Sequence, residues 1–162
     1  MNFSSKFIRA NGDMCDFDRH IPSPYFRKEF ELDFTAEKAE ILICGLGFYR
    51  LWINGTEITK GALAPYISNT GDICYYDLYN IADLLKNGKN VIGVQLGNGF
   101  RNPFGGFIWD FEKMESRGPV CLALTFKAEG GGKELCFEAD ESFKTHASPV
   151  IFDELRMGCR YD

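Results

Sequence analysis

Histidine is scarce, no long apolar run occurs and positive charge is not clustered, and each shortage closes off a class of function. Two histidines in 162 residues, with no C-x-x-C among six cysteines, leave too few ligands at zinc spacing. Cys15, Cys44, Cys74, Cys121, Cys136 and Cys159 are scattered, which is no disulfide framework either. No stretch approaches the ~18 consecutive apolar residues of a membrane helix, and "MNFSSKFIRANGD" lacks the apolar core of a secretion signal. The expectation is a cytoplasmic chain with no membrane partner. The 18 Lys and Arg are dispersed among 23 acids, for a formal net charge of −5, so nucleic acid is not an expected partner. Missing too are G-x-S-x-G, H-E-x-x-H, the P-loop and G-x-G-x-x-G; Gly45-Leu46-Gly47 imitates the last only in part, because a strand follows it. His20 and His146 are far apart in sequence, and neither is a candidate catalytic base.

What is abundant is aromatic: 15 Phe, seven Tyr and two Trp. Such rings suit strands, and runs of helix formers are few. "YFRKEFELDF" alternates, with Phe26, Phe30, Leu32 and Phe34 on one face and Arg27, Glu29, Glu31 and Asp33 on the other. "AEILICG" and "FYRLWI" follow, parted by Gly45-Leu46-Gly47, where a strand can bend from one sheet into another. Asn54-Gly55 fits a type I′ hairpin turn, since both central residues need positive φ. Further strands are "ICYYDLY", "NVIGVQLG", "PVCLALTFKAE", "KELCFEAD" and "SFKTHASPVIF", with Gly130-Gly131-Gly132 as a loose connection. "NIADLLKNGKN" predicts one short helical turn capped by Asn80. Cys44, Cys74, Cys121 and Cys136 fall inside strand-like runs and read as buried apolar thiols. The fold class that follows is all-β, a jelly-roll-like antiparallel β-sandwich of one domain. "DELRMGCRYD" is polar and reads as a linker cut short.

Chemistry has few candidate homes. Asp110 with Glu112, and Asp153 with Glu154, could be imagined as glycosidase carboxylates, but spacing in sequence does not place two carboxyls across a cleft. "GNGFRNPFGGFIWDF" (97–111) is more unusual, since Phe100, Phe104, Phe107 and Trp109 crowd among four glycines with Asn98 and Asn102. Such a loop either folds back over the sandwich, packs on a neighbouring domain, or presents aromatic faces and amides to a sugar. In "FYRLWI", Tyr49, Leu51 and Ile53 take the core face because Arg50 does not bury, which puts Trp52 on the outside. Trp52 is then expected beneath a covering loop or another domain, with sugar contact the second reading.

Taken in order, "YFRKEFEL", "ILICGLGFYRLWINGTEI", "LAPYISNTGDICYYDLYNIADLLKNGKNVIGVQLGNGF" and the closing "GCRYD" resemble the N-terminal β-sandwich domain of bacterial α-L-rhamnosidases. The similarity implies a galactose-binding-domain-like sandwich that is non-catalytic, with hydrolysis in a separate α-helical barrel. It implies an accessory role in a glycoside hydrolase, partnered by that enzyme's other domains. Some relatives bind L-rhamnose with calcium as carbohydrate-binding modules, so the alternative is a module for rhamnosyl sugars. Tyr66, Asn98, Asn102 and Trp109 are its candidate contacts. This sequence departs from the family pattern at Pro65-Tyr66-Ile67-Ser68, at Asn80 and Ala82, at Phe100 and at Cys159. No cofactor is expected: calcium wants six to eight oxygens, and only Asn69, Asp72 and Asn98 offer loop oxygens, without an Asp-rich motif. The expected division is an extension (1–24), the sandwich (25–152) and a linker (153–162).

Overall fold

The computed structural model describes residues 2–3 and 6–162. Its strands are β1 (Pro24–Leu32), β2 (Lys38–Leu46), β3 (Phe48–Ile53), β4 (Thr56–Glu57), β5 (Asp77–Asn80), β6 (Gly88–Gly97), β7 (Cys121–Gly130), β8 (Lys133–Glu138), β9 (Lys144–Ala147), β10 (Val150–Glu154) and β11 (Gly158–Tyr161). They build one sheet ordered β4-β3-β6-β1-β9, a second ordered β5-β2-β7-β8, and a hairpin of β10 with β11. The expected all-β antiparallel sandwich is the observed architecture.

Alternation decides which side of each strand is buried. Phe26 and Leu32 of β1, Tyr49, Leu51 and Ile53 of β3, and Ile92, Val94 and Leu96 of β6 point inward. There they join Ile41 and Ile43 of β2 and Leu122, Leu124 and Phe126 of β7 in one core. Each such side chain contributes roughly 1.5–3 kcal/mol when buried, so a one-residue slip in register would expose a whole row at once. Lys28, on the inner side of β1, bends its ammonium over Phe137 and Phe143 at the core's edge.

Three glycine-dependent joints shape the sheets. Gly47 sits between β2 and β3 with φ 115°, and the chain changes sheet there, as the sequence predicts. A Cβ at Gly47 would lie 2.1 Å from the Gly97 carbonyl oxygen. Asn54-Gly55 has φ of 50° and 86° and closes β3 onto β4. The Asn54 amide donates to the Leu84 carbonyl and to Asn90 Oδ1, while its oxygen accepts from the Val91 N–H. Gly131 and Gly132, both at positive φ, join Gly130 to its partner Lys133, so the expected loose connection is a tight two-residue turn.

Other expectations change. "ICYYDLY" supplies only three of the four residues of β5, because the chain before it is turned back at Asn69, whose carbonyl accepts from Asp72 and Ile73. Cys74 is therefore exposed, and Cys136 faces outward from β8. Cys44 and Cys15 are buried, and burial pushes their thiols up to about 12 and about 11. The expected helical turn is a 3-10 turn at Ala82–Leu84, with Asn80 Oδ1 accepting from Ala82 N although Ile81 holds the cap position. A second 3-10 turn, unanticipated, lies at Phe111–Lys113. Residues 153–162, read as a linker, contain the end of β10 and all of β11. In the extension, Ile8 pairs with Leu122; Met1, Ser4 and Ser5 of that segment lie outside the described residues.

Gly47→Ala and Gly55→Ala both force a side chain into positive φ, but nothing lies within 4 Å of a Cβ at Gly55. In urea unfolding, Gly55→Ala should cost roughly 1–2 kcal/mol. Gly47→Ala should cost clearly more, above roughly 3 kcal/mol, because the backbone must also move. Equal losses would mean that the Gly47 approach does not constrain the sheet change.

Candidate functional site

The loops after β6 and around Pro65 meet at one end of the sandwich, and their fixation begins with a buried carboxylate. Asp153, near the end of β10, accepts from the Asn98 N–H at 2.6 Å, from the Asn98 amide at 2.8 Å and from the Ser23 hydroxyl at 2.8 Å. Desolvation raises the Asp153 pKa, and these hydrogen bonds and His20 pull it back only in part. The same Asn98 amide donates to the Ile21 carbonyl, and Asn98 Oδ1 accepts from Asn102 Nδ2 at 2.7 Å. Asn102 Oδ1 accepts from the Cys15 N–H at 2.8 Å. One carboxylate and two amides thus bind the N-terminal arm, the start of the aromatic loop and the C-terminal hairpin together.

Arg156, in the turn of that hairpin, fixes the rest of the loop. Its guanidinium pairs with Glu154 at 2.7 Å, both side chains being buried. It also donates to the Ile108 carbonyl at 2.6 Å and the Phe104 carbonyl at 2.9 Å. Its charge lies over the rings of Phe107 and Phe111, 5.0 and 4.6 Å from their centroids. A desolvated arginine held by an acid, two carbonyls and two π faces is a strong clamp. Arg101 does the corresponding work next door: it reaches Thr70 Oγ1 and the Ser116 carbonyl, and packs where a Cβ at Gly118 would stand.

What this fixed framework displays is apolar. Trp109 is 70% exposed and Ile108 68%, and Trp109 and Asp110 hold left-handed φ of 75° and 47°. That backbone is costly for an aromatic residue, and the Arg156 bond to the preceding carbonyl helps to impose it. Rings continue from Trp109 to Phe111 to Phe100, with centroids 5.7 and 4.9 Å apart. Phe100 lines a shallow depression with Tyr66, Ile67 and Tyr75, and Tyr66 is 84% exposed. Met157, Leu155 and Phe17 are exposed as well, on the hairpin turn and the arm.

The four residues expected to contact sugar therefore separate into two pairs. Tyr66 and Trp109 stand outward on this end and are linked through Phe100 and Phe111. Asn98 and Asn102 are 2% and 0% exposed, and their amides are taken by the protein's own groups, which corrects the expectation for those two. The imagined carboxylate pairs also part: Asp110 pairs with Lys113, Glu112 is buried, Asp153 serves the network above and Glu154 holds Arg156. The three loop residues with candidate calcium oxygens do not converge. Asn69 Nδ2 donates to Asp72 Oδ2, Asn69 Oδ1 caps Gly71, and Asn98 is buried elsewhere. Among the described residues, no three of His, Cys, Asp and Glu gather where they could hold a metal. Sequence reasoning missed Asp153, Glu154 and Arg156 as a structural unit. The available signal was "VIFDELRMGCRY", two short strand-like pieces around a four-residue turn ending in glycine.

The chain's likenesses to known proteins agree with one another. The family model for the α-L-rhamnosidase N-terminal domain matches residues 35–162. An α-L-rhamnosidase of Formosa agariphila is 35% identical over 146 residues, covering 85% of this chain and 15% of that relative. Among solved structures, native α-L-rhamnosidase from Aspergillus terreus superposes with a TM-score of 0.83 at 28% identity, covering 94% of this chain and 17% of that one. The α-L-rhamnosidase of Dictyoglumus thermophilum gives 0.82 at 26% identity, covering 99% and 18%. The chain thus spans between 15% and 18% of the length of these relatives.

The raised pKa of Asp153 has a measurable consequence. The folded state keeps this proton to higher pH than the unfolded chain does, so between the two pKa values folding takes up a proton. Stability from this group must then fall as pH rises through that window, which begins at the ordinary carboxylate value of 3.8. Asp153→Asn should remove that slope, and at neutral pH should cost roughly 1–3 kcal/mol because an amide N–H now faces donors. Urea midpoints followed across pH check both; an unchanged slope in the variant would assign the titration to another group.

Proposed function

Because the chain belongs to the family of α-L-rhamnosidase N-terminal domains, we propose that it is a non-catalytic accessory domain of a larger α-L-rhamnosidase, packed on that enzyme's other domains and framing the catalytic one. The observation that carries this reading is the loop end of the sandwich. There, exposed Tyr66, Ile67, Ile108, Trp109 and Met157 form an apolar surface on loops that Arg156, Arg101 and Asp153 hold in place. Apolar exposure on rigid loops is the expected property of a face that meets other protein. Hydrolysis belongs, in this reading, to another part of the parent, since the candidate carboxylates here are engaged in structure. In this reading the sandwich body spans residues 25–152, and the hairpin of β10 and β11 contributes to the docking end.

A rhamnose-binding role for this same end has less support. A sugar site needs amides or acids beside the aromatic faces, and Asn98 and Asn102 are turned inward.

Two results are expected. The chain alone should not hydrolyse an aryl α-L-rhamnoside above background; turnover abolished by changing one carboxylate would contradict the accessory role. Trp109→Asp should change the isolated chain's stability by less than about 0.5 kcal/mol, because the ring is exposed. In the full-length parent it should lower the unfolding midpoint by several degrees, and an unchanged parent midpoint would remove Trp109 from any interface.

A further inference from the structure

The largest concavity among those described lies elsewhere, on the outer face of the five-stranded sheet. It encloses about 590 Å³ and is lined by Tyr25, Arg27, Trp52, Val91, Gly93, Lys144, Thr145 and His146, among others. Its form follows from register. Trp52 of β3 and Arg27 of β1 both pair with Gly93 of β6, and Lys144 of β9 pairs with Arg27. Strands stand about 4.8 Å apart, so Trp52 and Arg27 are separated by roughly 9.6 Å with only a glycine between them. That gap is wide enough for one six-membered ring and its van der Waals contacts.

The walls are set before any ligand arrives. Tyr25 and Trp52 meet edge to face at 84°, with centroids 6.5 Å apart, making an apolar corner. Arg50 lies over the Trp52 ring at 5.1 Å, and its guanidinium is held by two hydrogen bonds to Glu57. Tyr161 of β11 neighbours the Tyr25 hydroxyl. Beside Tyr25, and in register with it, stands His146 of the edge strand, exposed and able to meet hydroxyl groups.

The charge in the cleft opposes that of the chain. Arg27 and Lys144 line it and no carboxylate does, although the chain carries a formal net charge of −5. The paired acids nearby, Glu29 with Arg27 and Glu57 with Arg50, lie outside the lining. Among the described residues Lys144 makes no ion pair. We propose that this cleft binds a pyranose ring bearing an anionic substituent, with its C–H face on Trp52 and Tyr25 and its carboxylate toward Lys144 and Arg27. The assignment stands apart from the docking surface, which is at the loop end.

The test is an NMR titration of the 162-residue chain with sodium D-glucuronate, with L-rhamnose as the neutral sugar and sodium benzoate as the aromatic anion. The indole N–H of Trp52 should shift saturably with glucuronate and lose response in high salt, while the indole of Trp109 serves as an unmoved control. Lys144→Gln should weaken glucuronate roughly two- to fivefold. Gly93→Leu should abolish the Trp52 shift with the fold intact, since a Cβ there meets only Trp52 Cβ, at 3.8 Å. No saturable Trp52 shift up to high millimolar glucuronate would overturn the proposal, as would a response that survives Gly93→Leu. Equal binding of rhamnose, or of benzoate, would overturn its anionic or its saccharide part. Because every readout is internal to the isolated chain, failure here leaves the docking reading to be judged in the parent enzyme.

Discussion

The Asp153 carboxylate is the constraint on which the loop end depends. It lies in the last described strand pair, yet it holds the backbone of Asn98 and the hydroxyl of Ser23, from the middle and the beginning of the chain. Burying a carboxylate is unfavourable unless its lone pairs are filled, and here three donors fill them. Desolvation still leaves its pKa raised. The sandwich itself would stand on its apolar core; what Asp153 adds is the joining of three otherwise independent surface segments.

Arg156 extends that joining outward. A surface aromatic loop with four glycines has many conformations open to it, and ordering it on binding would cost entropy. The Glu154–Arg156 pair, with bonds to the Phe104 and Ile108 carbonyls, removes that freedom in advance. Preorganisation of this kind is what lets an apolar patch contribute binding energy rather than spend it on folding. Trp109, held outward on a left-handed backbone, shows the cost of the arrangement at the residue with most to offer a partner.

Much of the sandwich was legible in the sequence because period-two alternation and turn chemistry are local. The inward row of β3, the change of sheet at Gly47 and the Asn54-Gly55 turn all follow from a few neighbouring residues. The site was less legible, for two physical reasons. Asn98 and Asn102 carry the same amide whether it faces sugar or the backbone of Ile21 and Cys15, and only the tertiary partners decide. The end of β10 and all of β11, residues 153–162, read as a linker because the inward contacts there are made by Asp153, Glu154 and Arg156, residues that hydrophobic patterning counts as solvent-facing. Cys74 and Cys136 err in the opposite sense: apolar neighbours in sequence did not bring burial.

The central claim is that the loop end meets other domains of a longer enzyme. Amide hydrogen exchange of the isolated chain, compared segment by segment with the same segments in the full-length parent, tests it most directly. Residues 66–75, 104–111 and 155–157 should become markedly protected in the parent, while the outward face of β8 exchanges alike in both. Equal exchange at those three segments, with protection gained instead on β8, would contradict the claim.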